Sequence, residues 1–184
     1  MARVIGALAG EEIERIVDAV LTTRNRGRKI ILCGNGGSAA TASHFACDLA
    51  KGTAVPGERR LCVIALTDNV PLLTAWGNDS DYADVFSEQL RNLVQEGDLV
   101  VAISGSGNSP NVLRAVTVAH EAGAMTIGLC GFEGGKLAQL VRMPLVVRSD
   151  SMERIEDAHM IICHAVAVGV RERLRSALEA SVAV

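Results

Sequence analysis

Residues 99–115 read LVVAISGSGNSPNVLRA: an unbroken apolar run, a loop of serine, glycine and asparagine, then Pro110 opening a periodic apolar stretch. Apolar residues without alternation suit a strand covered on both faces. Proline suits a first helical turn, because its missing N–H has no partner there. The segment predicts strand, loop and helix, with Ser104 to Ser109 at the strand's C-terminal end. Residues 28–38, RKIILCGNGGS, repeat the pattern: strand Arg28–Cys33, loop Gly34 to Ser38, then a helix from near Ala39.

Outward from these two segments the same order recurs. Residues 9–26 carry Ile13, Ile16, Val17, Val20 and Leu21 at helical spacing. Leu61–Leu66, Met125–Leu129 and Pro144–Val147 read as strands, and 69–77, 81–95, 109–122 and 135–141 as helices. Five strands alternating with helices predict an α/β fold: a three-layer, doubly wound, five-stranded parallel sheet of flavodoxin-like type. Segment 151–176 opens with Ser151 as N-cap and becomes apolar nearly all round from Met160 to Val170. A helix without a wet face needs cover. The N- and C-terminal helices are therefore expected to pack in a closed, symmetric homo-oligomer, a homotetramer. Residues 1–184 fit one domain, and 52–60 form the most flexible-looking loop.

Composition narrows the function classes. Net charge is −3, aromatics are 3%, and no stretch concentrates cations enough to track a nucleic acid backbone. The densest basic cluster, Arg24, Arg26, Arg28 and Lys29, falls at the expected end of the first helix, where cations favour the dipole. Five cysteines without a C-x-x-C pair, each in an apolar run, read as buried free thiols of a reducing cytoplasm. Neither a signal peptide nor a membrane-spanning stretch is expected.

Both loops sit between a strand and a helix. Glycine lets the backbone approach an oxyanion, and the helix N-terminus adds unpaired N–H groups. The spacing is neither G-x-G-x-x-G nor G-x-x-x-x-G-K-[ST], so dinucleotides and nucleoside triphosphates are poor fits. Two loops at strand C-termini of one sheet lie where open α/β sheets bind ligands, here a phosphate ester.

The stretches CGNGGSAATASHFACDL (33–49), LTDNVPLLTAWGND (66–79), ISGSGNSPNVLRA (103–115), GLCGFEGGKL (128–137) and ERIEDAHMIICH (153–164) together resemble the sugar isomerase (SIS) domain family. Within it the resemblance is to the phosphoheptose isomerases, which convert sedoheptulose 7-phosphate to D-glycero-D-manno-heptose 7-phosphate. It implies a single SIS domain over 1–184, with Ser104, Gly105, Ser106 and Ser109 holding the phosphate. Asn35, Gly36, Gly37 and Ser38 would line the site, and Asn78, Asp79, Asp48 and Glu156 would contact the sugar. From the residues alone, Asn78–Asp79 also suits a turn after a helix.

His44 and Asp48 are four apart on one helix face, and Glu156 and His164 are eight apart on roughly one face of the last helix. The resemblance implies that these four surround the substrate and can hold Zn²⁺. Asp48 stands where the family commonly has Glu, and Glu156 where it commonly has Gln. Aldose–ketose isomerisation needs a base near C–H and an acid near the carbonyl oxygen; Asp48 is expected as base and His164 as acid. His159 ranks below His164 as a ligand, and His120 reads as a solvated surface histidine. Two alternatives stay open: a non-catalytic SIS relative that binds a replication initiator, and an isomerase of another sugar phosphate.

Overall fold

The computed structural model describes residues 2–8 and 10–182. Strand β1 (Lys29–Gly34) turns Ile30 and Leu32 to one face of the sheet and Ile31 and Cys33 to the other, all four buried. Strand β3 (Leu99–Ser104) does the same, with Leu99, Val101 and Ile103 on the first face and Val100 and Ala102 on the second. Two hydrophobic cores follow, one on each side of the sheet, which accounts for the unbroken apolar runs.

With β2 (Cys62–Ala65), β4 (Met125–Gly131) and β5 (Met143–Val147), the strands form one parallel sheet in the order β2-β1-β3-β4-β5. The strand order reverses between β1 and β3, so the loops following these two strands flank the crevice where doubly wound sheets take ligands. The short α1 (Ala2–Gly6), α2 (Gly10–Asn25), α3 (Gly37–Cys47) and α8 (Met152–Val182) supply the first core. α4 (Val70–Asp79), α5 (Ser87–Leu93), α6 (Pro110–Glu121) and α7 (Gly135–Leu140) pack on the second.

Several expectations need correction. The helix expected over 81–95 breaks, because the Asp81 side chain accepts the Ala83 N–H at 2.8 Å and caps a separate 3₁₀ turn, Tyr82–Asp84. The helix expected over 69–77 runs to Asp79, so Asn78 and Asp79 are its last residues and not a following turn. The last helix continues past residue 176, held by Leu174 in the core and by Arg173, which pairs with Glu14 and Asp18 of α2.

Of the five cysteines, Cys33, Cys130 and Cys163 are buried, but Cys47 and Cys62 are exposed, Cys62 because it begins the edge strand β2. Burial pushes the Cys33 and Cys130 thiols up to about 12. His120 is not a freely solvated histidine. It is half-buried, with Nε2 2.8 Å from Thr126 Oγ1, and burial followed by the Arg142 charge lowers its pKa. No helix among the described residues is long and apolar enough to cross a membrane.

Candidate active site

The loop after β1 begins with Gly34, where a Cβ would lie 2.8 Å from the Ser38 carbonyl oxygen, so the turn closes only around glycine. Gly36, at φ 54°, precedes the first turn of α3. The loop's asparagine is held firmly. Asn35 and the buried Asn111 exchange two side-chain hydrogen bonds of 2.8 Å each, and the Tyr82 hydroxyl donates to Asn35 Oδ1 at 3.1 Å. The turn carrying Tyr82 is itself tied to α6 by Asp84 and Arg114, 2.6 Å apart, and this guanidinium holds the Asp84 carboxyl below its usual range.

In the second loop, Ser104 Oγ lies 3.5 Å from Ser106 Oγ and 3.3 Å from Ser109 Oγ. The Gly107 N–H donates to Ser104 Oγ at 3.2 Å and the Asn108 N–H to Ser106 Oγ at 3.2 Å. Gly107, at φ 64°, presses so close to Gly134 that a Cβ would fall 2.1 Å from its carbonyl oxygen. The two loops face one cavity of about 230 Å³, lined by Asn35 to Ser38, by Ile103 to Ser106 and Ser109, and by Met152 and Glu156 of α8. Its walls offer hydroxyls and backbone amides with no cation, together with the Glu156 carboxylate; the serine loop, at the N-terminus of α6, is the side suited to a phosphate.

Farther along α3 and α8, His44, Asp48 and His164 converge. The two imidazole Nε2 atoms are 3.0 Å apart, and Asp48 Oδ2 lies 3.4 Å from His44 Nε2 and 3.6 Å from His164 Nε2. Asp48 begins a π-helical turn, Asp48–Gly52, that continues α3; such turns often accompany functional sites. One ligand atom from each of the three residues lies within 4.8 Å of the others. Two imidazole nitrogens and one carboxylate oxygen fit the donor set of a divalent cation such as Zn²⁺ with a position left open.

The remaining candidates lie elsewhere. Glu156 is not in this cluster; its carboxylate packs on Gly37, where a Cβ would fall 2.3 Å from Oε1. His159 is buried, with Nε2 3.0 Å from the Cys130 carbonyl oxygen, and does not join the cluster. Asn78 and Asp79 are exposed at the end of α4, bonded to each other at 2.7 Å, and do not line the loop cavity. Sequence reading missed Asn111, Tyr82 and Met152. The one available signal was Asn111, a polar residue in the buried register of an otherwise apolar helix face.

Residues 2–131 match the family model of the SIS domain. A phosphoheptose isomerase of Aliarcobacter butzleri is 44% identical over 166 residues, covering 90% of this chain and 87% of that protein. The chain belongs to the phosphoheptose isomerase family of SIS-domain proteins. Among solved structures, a phosphoheptose isomerase from Neisseria gonorrhoeae superposes with a TM-score of 0.83 at 37% identity, covering 89% of this chain and 86% of that one. One from Francisella tularensis gives 0.85 at 31% identity, with 93% and 90% covered. The SIS-domain protein described here is accordingly a sugar-phosphate isomerase, an enzyme, and its substrate is a sugar phosphate.

Proposed function

We propose that this SIS-domain isomerase converts sedoheptulose 7-phosphate to D-glycero-D-manno-heptose 7-phosphate. The observation that carries this reading is the spacing of the two sites. His44 lies seven residues beyond Gly37 on α3, and His164 lies eight beyond Glu156 on α8, each about 10–12 Å along its helix. A phosphate held by Ser104, Ser106 and Ser109 would leave the far end of an extended seven-carbon chain near His44, Asp48 and His164. A pentose phosphate reaches less far.

In this reading Asn35, Gly36, Gly37, Ser38, Gly105 and Glu156 hold the sugar between the two ends; Asn78 and Asp79, outside the cavity, take no part in it within one chain. Asp48 takes the proton from C1, and His164 gives one to the C2 carbonyl oxygen, producing an enediol. Return of a proton to C2, with loss of the C1 hydroxyl proton, completes the aldose. Zn²⁺, when held by His44, Asp48 and His164, would take over from the His164 proton by polarising the carbonyl and hydroxyl oxygens, while Glu156 faces the loop cavity and stands outside that ligand set. The chain acts as one domain in the cytoplasm and as a homotetramer. The assembly is supported by α4, which buries none of its residues fully, and by exposed Ile161 and Val168 on α8.

The test is turnover of sedoheptulose 7-phosphate by the purified chain, with the product read by NMR against a panel of ketose phosphates. Asp48→Asn should lower turnover by at least about a hundredfold and reduce the divalent metal found by elemental analysis. A near-normal rate would remove Asp48 as base, and preference for a shorter ketose phosphate would remove the heptose assignment.

A further inference from the structure

The basic cluster Arg24, Arg26, Arg28 and Lys29 plays no part at the loops, and the fold divides it. Arg24 pairs with Glu58, and Lys29 Nζ lies 2.9 Å from the buried Asp98 carboxylate. Among the described residues the side chains of Arg26 and Arg28 have no ion-pair partner. Neither has Arg142, which reaches the same place from just ahead of β5.

Arg26 and Arg142 line one cavity of about 430 Å³, with Ala19, Thr22, Ala124 and Met125 as a largely apolar wall. Arg28 stands against Gly97 of that wall, its Nε 3.5 Å from the place of a Cβ there. Two acids are near. Asp18 is already paired with Arg173, and Glu96 packs by its stem on Gly123. The cavity opens where β1, β3 and β4 begin, about 20 Å along the strands from the sugar-phosphate loops.

The dipole of α2 accounts for Arg26 and Arg28 at its C-terminal end but not for Arg142, which arrives from a different part of the chain. Unpaired guanidinium groups from separate elements at one cavity can grip an oxyanion by parallel N–H donors. The apolar wall leaves room for the body of an ester. We propose that this cavity binds a small phosphate-bearing metabolite, held by Arg26, Arg28 and Arg142 at the end of the sheet opposite the isomerase loops.

Titration calorimetry with inorganic pyrophosphate tests this on the full chain. The S104A/S106A variant should bind as the wild type does, R26Q/R142Q should bind at least about tenfold more weakly, and R142Q alone should fall between. The arginines are exposed, so circular dichroism of R26Q/R142Q should match the wild type; if it does not, R142Q alone decides. No binding to the wild type at millimolar pyrophosphate overturns the proposal. So does binding lost in S104A/S106A but intact in R26Q/R142Q. Since no activity is read, the outcome is independent of the isomerase assignment.

Discussion

Single residues show how a loop with no cation is kept in shape. Asn35 points where it does because Asn111, 2% exposed, meets it with a reciprocal pair of hydrogen bonds. Asn111→Ala removes both and leaves Asn35 Nδ2 without its acceptor, Tyr82 still donating to Oδ1, at a cost of about 1–3 kcal/mol. A lower melting temperature and a kcat/KM for the sugar phosphate reduced by about tenfold or more are expected; unchanged kinetics would make Asn111 purely structural. Gly34 and Gly37, read as loop, are the last residue of β1 and the first of α3, whereas Gly107 was legible as a loop residue from its order in the chain. What was not legible was the atom that excludes a side chain at each: the Ser38 carbonyl, the Glu156 carboxylate and the Gly134 carbonyl. The last two belong to distant segments.

At the scale of elements, α2 and α8 illustrate a contact that pattern reading does not anticipate. Gly169 lies mid-helix, where glycine costs about 1 kcal/mol relative to alanine. A Cβ there would meet Val17 Cγ2 at 2.9 Å, so the glycine admits α2 to close packing and lets Arg173 reach Glu14 and Asp18. Gly169→Leu should push the helices apart and destabilise the fold by about 1–3 kcal/mol, read as a lower urea midpoint. Strands and most helices were legible because their apolar residues repeat at fixed periods. The break at Asp81 escaped that test, since a capping side chain competes locally with a helix whose apolar spacing continues through it.

For the whole molecule, acid stability and assembly carry the remaining expectations. Burial holds His159 below its usual range, opposed by its bond to the Cys130 carbonyl, and burial likewise lowers His120. With the folded-state pKa depressed, the unfolded chain takes up these protons first. Their contribution is complete above the ordinary histidine pKa of about 6.5 and is lost as pH falls below it. The melting temperature should drop between neutral and mildly acid pH, and H120Q/H159Q should flatten that slope. Ile161 and Val168 are 37% and 45% exposed on α8. Ile161→Asp with Val168→Glu should leave the protomer's stability within about 0.5 kcal/mol and bring the mass seen by light scattering below that of the proposed homotetramer; an unchanged mass would remove this face from the assembly. By itself the sequence determined the alternation of strands and helices, the parallel sheet and the two loops at its switch point, because periodicity and loop chemistry are local. Only the tertiary structure decided which side chains share a site. His44 and His164, 120 residues apart, meet because α3 and α8 cover the same face, while Glu156, on the same helix as His164, is turned to the loops. That sorting depends on how two helices pack over a common core, which no spacing within either one records.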